Sequence, residues 1–408
     1  MSGTLAALGA GRAQDAARFA LGGVTPAHAV RPASAAEAAE VVRACATDGL
    51  SLVPWGGGVA LGSESFAGRY DVALDLAALD RITVYDPDDF TVTAECGITL
   101  ATLRAALLAH GHELPLEAAH RSRATLGGVL AANASGPRRL RFGAPRDRIL
   151  GARFVTGDGV LAKTGGRVVK NVAGHAVHRL LVGSRGGLGV LLEASLKLAP
   201  LPPARVALVH GCDAAALADA PRWSGFARRE PAALTVLGRG AAAGLGAFAT
   251  AAPFTAVLGW EDDAAWLGEC ESFARAKLGA PAQRTEDEGV PPLWQLVTDL
   301  EEMDGPRLTF ASAHNTPAAL APLAGRACAE RLVFHAPSGR LLLWPEPGEA
   351  AALVAELAPL GFALTEARGV ALERTAPPAA IAALRAALRR ALDPGGTLAL
   401  GPRWEAGG

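Results

Sequence analysis

The sequence predicts an α+β protein built as two domains, on three observations. Its 408 residues exceed what one hydrophobic core ordinarily fills. Between residues 30 and 200, short apolar runs that read as strands alternate with helical stretches and with three Gly-rich loops, at 53–62, 124–138 and 183–190. Pro200, Pro202 and Pro203 then interrupt both helix and sheet, and no comparable Gly loop follows them. The expected division is a helical lead-in over residues 1–29, a first domain over 30–203 and a smaller α+β domain over 204–408.

The elements follow in order. Residues 1–29 read as one helix and an extended approach. Ser34, with Glu37 three residues on, has the form of a capping box for a helix over 35–48. Residues 50–53 read as a buried strand ending at Pro54, and 71–76 alternate as a half-exposed strand does. Residues 82–85 and 90–97 read as strands joined by the turn at 86–89. Thr99 caps a helix to about His110, with Gly111 placed as a C-cap glycine. Two strands around the turn 157–159, a helix over 173–181, an exit strand over 190–198 and a C-terminal helix over 378–391 complete the reading.

Composition removes several classes of function. Hydrophobic residues make up 50% and charged residues 19%, as in a globular chain. Lys plus Arg at 39 against Asp plus Glu at 40 leaves a net charge of -1, with no basic excess to draw nucleic acid. Cys45, Cys96, Cys212, Cys270 and Cys328 are far apart with no CxxC pair, which argues for reduced thiols in a cytoplasmic setting and against a zinc or iron–sulfur site. Arg12, Asp15 and Arg18 break any early apolar run, and no stretch reaches membrane-spanning length, so neither a signal segment nor a membrane span is expected.

The first loop, Pro54-Trp55-Gly56-Gly57-Gly58-Val59-Ala60, has a physical use. Its glycines let consecutive N–H groups turn into one concavity, a nest suited to pyrophosphate oxygens that side chains would obstruct. Taken alone it reads equally well as a tight turn. It is not a dinucleotide fingerprint of the Rossmann type, because no helix opens there and no acidic residue follows. In the second cluster, Thr125-Leu126-Gly127-Gly128 reads as a helix start whose free N–H groups face anionic oxygens. Asn133, Ser135, Gly136, Arg138, Phe142 and Gly143 then bring small residues, a cation and an aromatic together. The third loop ends at Gly189 and Val190.

Together these strings resemble the FAD-binding domain of the vanillyl-alcohol-oxidase and p-cresol-methylhydroxylase (PCMH-type) superfamily. Within it, Gly136-Pro137-Arg138-Arg139, Phe142-Gly143 and residues 146–151 and 165–174 resemble the small FAD-binding subunits of bacterial glycolate oxidases. The resemblance covers about half the chain. It departs from the usual Tyr-Asp pair at His175-Ala176, and from a usual threonine at Gly187.

The resemblance implies a PCMH-type domain of two subdomains binding FAD through the residues just named, and a second domain capping the isoalloxazine. It implies oxidation of glycolate or a similar short 2-hydroxy acid to the 2-oxo acid. A larger homologous flavin subunit would carry the base, and an iron–sulfur subunit would take the electrons. The complex would be cytoplasmic or held at the inner membrane through its partners. Some members attach FAD through a histidine directly after the first loop; Val59 stands there, so non-covalent FAD is expected. His175 and His178, three apart on the expected helix, read as polar packing or as neighbours of the flavin edge rather than a metal pair.

In the second half the candidates are His335, to take a hydroxyl proton, and Arg307 and Arg340, to hold a substrate carboxylate. They read equally as a histidine in a sheet and arginines near a turn. Two other readings stand beside the first: a self-sufficient FAD-dependent 2-hydroxyacid dehydrogenase or aldonolactone oxidase, and a non-catalytic subunit retaining the fold. Gly57→Asp is expected to abolish FAD binding while leaving the fold largely intact.

Overall fold

A computed structural model describes residues 12–61, 70–168, 174–313, 315–370, 372 and 378–399. The chain opens with β1 (His28–Val30), β2 (Leu52–Trp55) and β3 (Val72–Asp75), a parallel sheet in the order β1-β3-β2. The helix Ala35–Thr47 covers it. Ser34 Oγ accepts from the N–H of Glu37 at 3.2 Å, while the Glu37 carboxylate accepts from the N–H of Ala33 at 2.9 Å. Its inner face sets Ala38, Val42 and Cys45 against Leu52, Val72 and Leu74.

Next come β4 (Ile82–Asp86), β5 (Thr91–Glu95), the short β6 (His112–Glu113), β7 (Ile149–Val155), β8 (Leu161–Gly165) and β9 (Val190–Lys197). All but β6 form an antiparallel sheet in the order β4-β5-β9-β7-β8. The helices Leu100–Leu108 and Leu126–Ala132 pack on it through Leu103, Leu107, Leu126 and Leu130. Thr99 Oγ1 accepts from the N–H of Thr102 at 3.2 Å, as the expected cap requires. β10 (Ala199–Pro200) pairs with β6, so Pro200, expected to interrupt the sheet, lies within a short strand instead.

Beyond it lie β11 (Ala204–Cys212), β12 (Ala233–Gly238), β13 (Phe254–Asp262), β14 (Gln283–Glu286), β15 (Arg307–Ser312), β16 (Leu332–His335), β17 (Arg340–Leu343) and β18 (Phe362–Arg368). They make one eight-stranded sheet, in the order β14-β11-β13-β12-β16-β17-β15-β18. Both faces are buried: Val206 and Leu208 of β11 enter one core, Ala207 and Val209 the other, as a period of two dictates. The second domain therefore holds the largest sheet of the protein, although it was expected to be the smaller unit.

Among the described residues the lead-in holds a 3-10 turn, Ala16–Phe19, followed by β1; residues 1–11, on which the rest of the expected helix falls, lie outside the described part. A further expectation needs correction: the second domain does not keep all of residues 204–408. After the helix Ala379–Leu392 the chain crosses back, Leu52 donating to Thr397 O at 2.7 Å and Ala399 to Leu52 O at 2.9 Å. The Asp393 carboxylate holds that crossing by accepting from the N–H groups of Thr397 at 2.8 Å and Leu398 at 3.1 Å. Leu398 is fully buried in the core under β2 and β3. Residues 393–399 thus complete the first domain.

A buried ion cluster joins the two domains. Arg138, 4% exposed, lies 2.9 Å from Glu113, 2.8 Å from Glu117 and 3.1 Å from Glu261 of β13. Trp294 Nε1 also donates to Glu261 at 3.1 Å. Beside the cluster, His120 N–H donates to Asp299 at 2.7 Å and Gln295 Nε2 donates to Ala118 O at 3.1 Å.

Candidate functional site

A cleft of about 1370 Å³, partly open to solvent, runs between the domains. Its first-domain wall is the loop 54–61, the stretch 124–135 broken only at Leu126 and Leu130, and Arg185, Gly186 and Gly189. The second domain contributes Thr298, Glu301, Glu302, Arg307, Arg340, Glu366 and Arg368.

The loop after β2 is a cradle. The N–H groups of Gly56, Gly57, Gly58, Val59 and Ala60 make no hydrogen bond among the described residues, and Gly58 has φ 70°. A row of unspent donors on a bent backbone fits a pyrophosphate. The glycines answer first to the protein, however. A Cβ on Gly56 would lie 2.2 Å from Thr125 Oγ1, and one on Gly57 would lie 1.7 Å from the carbonyl oxygen of Arg123. Glycine at both positions lets the loop lie against residues 123–125; a ligand is not needed to explain it.

The helix start at Leu126 differs from the expectation. Leu126 N–H donates to Ile98 O and Gly127 N–H to Cys96 O, each at 2.8 Å, and Gly128 N–H reaches Thr125 Oγ1 at 3.3 Å. None of these donors is left for an anion. At the other end of the same helix Asn133 adopts the left-handed conformation, φ 52°, which asparagine tolerates better than most residues. Its Oδ1 is buried in the cleft wall without a partner among the described residues, a place for an N–H or O–H of a bound group.

Of the expected cofactor residues, Pro54, Trp55, Gly56, Gly57, Gly58, Val59, Ala60, Thr125, Gly127, Gly128, Asn133, Ser135 and Gly189 line the cleft. The others lie elsewhere. Leu126 and Val190 are core residues. Gly136 packs against Glu117 and Thr298, and Gly143 against Asp147. Phe142 sits among the guanidinium groups of Arg138, Arg141 and Arg148, 5.2–5.9 Å from its ring centre. Arg138 is committed to its three carboxylates.

The cap-side wall corrects the catalytic expectation. His335 is 1% exposed, 2.9 Å from Thr235 Oγ1 through Nδ1 and 3.0 Å from Glu301 Oε1 through Nε2. Both ring nitrogens are engaged, and the ring does not line the cleft, so it cannot receive a substrate proton there. Arg307 and Arg340 do line it, and each is already paired with glutamate, although the buried Arg307 Nε has no partner among the described residues. Arg340 donates to Glu301 and, at 3.1 Å, to Ser135 O. Arg307 pairs with Glu302 at 3.2 Å and Glu366 at 3.4 Å. Arg185 donates to Glu366 and Arg368 to Glu302.

Sequence reasoning missed the glutamates, which belong to no motif. Arg185 was in view, inside the third loop, without a role.

Burial alone would raise the Glu301 carboxyl, but Arg340 and the His335 hydrogen bond outweigh it and hold its pKa at about 2. A folded pKa below the unfolded value of about 4.3 supplies stability that is complete above that value and lost as pH falls from it toward about 2. Glu301→Gln is expected to remove this contribution, shrinking the loss of melting temperature between pH 5 and pH 3. An unchanged acid slope in thermal melts counts against it.

Elsewhere, His175 precedes the helix Val177–Leu181 and is exposed, whereas His178 is buried with Nδ1 3.4 Å from Thr164 Oγ1, so they share no face. The expected helix began at 173; residues 169–173 lie outside the described part. Among the described residues no group of three His, Cys, Asp or Glu side chains is placed to hold a metal, and no helix is long and apolar enough to cross a membrane.

Residues 26–165 match the FAD binding domain family, and the chain carries an FAD-binding domain of the PCMH type. Its most similar relatives include glycolate oxidase subunit GlcE of Escherichia coli (strain K12), 44% identical over 149 residues, which are 36% of this chain and 43% of that protein. D-2-hydroxyglutarate dehydrogenase of Xanthomonas citri pv. viticola is 34% identical over 44% of this chain and 38% of its own length. Glycolate oxidase subunit GlcD of Bacillus subtilis (strain 168) is 30% identical over 46% and 40%. The chain therefore spans less than half the length of these curated relatives. Alkyldihydroxyacetonephosphate synthase shares the fold across 94% of this chain and 77% of its own, with a TM-score of 0.66 at 17% identity.

Proposed function

We propose that this chain is an FAD-binding subunit of a glycolate oxidase-like complex that converts a short 2-hydroxy acid to the 2-oxo acid. The observation that carries the reading is the pairing of an N–H cradle on one wall of the cleft with a cap-side wall whose cations are all engaged by glutamates. The first suits a flavin nucleotide. The second offers neither a histidine base nor a guanidinium fork for a substrate carboxylate. Similarity to both glycolate oxidase subunits supports a shared task.

In that task the substrate carbon gives up a hydride, the hydroxyl gives up a proton to a base, and FAD, when bound, supplies the two-electron acceptor. The base would sit on a larger homologous flavin subunit, and an iron–sulfur subunit would take the electrons one at a time. In this chain the residues 56–60 would hold the pyrophosphate and Asn133 Oδ1 would accept a hydrogen bond from the bound group. The complex would be cytoplasmic, reaching the inner membrane only through partners.

Two outcomes are expected. Acid precipitation of the purified yellow chain should leave the flavin in the supernatant, since Val59 forms no covalent link; flavin in the pellet contradicts this. With FAD bound, the single chain should show little turnover of glycolate or D-lactate with an artificial acceptor. Adding the larger flavin and iron–sulfur subunits from the same source should restore it. Robust oxidation by the chain alone would overturn the reading and favour a self-sufficient dehydrogenase.

A further inference from the structure

We propose that Glu366, with Glu302 and Glu301, is a built-in carboxylate plug that fills the guanidinium sites of the cleft and keeps the carboxylate of a 2-hydroxy acid out of this subunit. The inference rests on the FAD reading and goes beyond it: it assigns the cap-side wall a specificity, exclusion of small organic anions.

The geometry is that of an occupied anion site. A site meant for a substrate carboxylate presents a guanidinium whose donors are unspent until the substrate arrives. Here both Glu366 oxygens are engaged, Oε1 by Arg185 of the first domain and Oε2 by Arg307 at 3.4 Å. Glu302 is engaged in the same way, Oε1 by Arg307 at 3.2 Å and Oε2 by Arg368. Glu301 takes Arg340 and His335. Each cation facing the cleft on this side thus has a carboxylate from the same chain.

Glu366 stays charged. Burial pushes the Glu366 carboxyl up, but Arg185, Arg307 and Arg340 outweigh it and hold it below the ordinary range. An entering carboxylate would have to expel one of the glutamates, leaving a charged group unpaired in a mostly buried position, which costs far more than a surface ion pair returns. The Glu366 pair with Arg185 also crosses from cap to first domain, so the group that excludes the acid also latches the cleft.

The test uses the full chain and oxalate, which resembles glycolate but has no carbon-bound hydrogen to give up. Oxalate is titrated calorimetrically into wild type, Glu366→Gln and Glu302→Gln, and the absorbance of any bound flavin is followed in parallel. Wild type should bind oxalate weakly or not at all. Each amide keeps the shape, removes the charge and should tighten binding by roughly tenfold or more, about 1.4 kcal/mol.

Wild type binding oxalate as tightly as either variant overturns the plug. If neither variant folds, the wild-type titration alone decides, since tight oxalate binding there is incompatible with a filled site. The flavin content of the purified chain tests the FAD reading separately. A chain with flavin that binds oxalate defeats only the plug, and a chain without flavin defeats the reading beneath it.

Discussion

Arg138→Met is expected to be the most damaging single substitution away from the cleft, costing about 3–5 kcal/mol. The guanidinium is the counter-charge of Glu113, Glu117 and Glu261, and methionine leaves three buried carboxylates facing one another across the domain boundary. The effect should depend on pH in a fixed direction. In the wild type, burial raises the Glu113 carboxyl, but Arg138 and Arg104 outweigh it and hold it low, so its contribution is present above about pH 4.3 and lost on acidification. Without Arg138, burial dominates and lifts the folded pKa above the unfolded one, so the penalty grows as pH rises through that window. Thermal melts should show the gap between variant and wild type narrowing from pH 8 toward pH 5. A constant gap would mean that the loss is one of packing.

Gly57→Ala is expected to weaken FAD at least tenfold, and not because it crowds the ligand. The added Cβ would meet the Arg123 carbonyl oxygen at 1.7 Å, a backbone atom that cannot swing away, so the loop must lift from residues 123–125. Arg123 Nη2, which donates to Gly57 O at 3.2 Å, would lose its place as well. The N–H row would then no longer converge. Gly57→Asp displaces the loop in the same way, since any side chain there meets the Arg123 carbonyl. Comparing Gly57→Asp with Gly57→Asn separates charge from bulk, because only the former opposes a pyrophosphate. Fluorescence titration of FAD reads all three, and undiminished affinity in the alanine variant would show that this loop does not touch the nucleotide.

What could be read from the sequence was local. Ser34 and Thr99 announced their helices because a cap is decided within four residues. The three Gly loops, read as parts of one site, do meet on one cleft. The failures came from distance. Arg138 looked like a ligand contact because its partners at 113, 117 and 261 belong to other elements. The donors of Leu126 and Gly127 looked free because the carbonyls of Ile98 and Cys96 that take them come from the turn after β5. His335 was a candidate base on residue type alone, and only the fold shows it clasped between Thr235 and Glu301.

The crossing at residues 393–399 bears on how the protein matures. Leu52, four positions before the first glycine of the cradle, takes its outer hydrogen-bond partners from Thr397 and Ala399. During synthesis the nucleotide-binding half therefore waits, with one edge of its first sheet open, until residues 393–399 have left the ribosome. A truncation at the proline-rich boundary, attractive as a minimal flavodomain, would expose that edge and the apolar pocket that Leu398 fills, inviting aggregation in place of yellow protein.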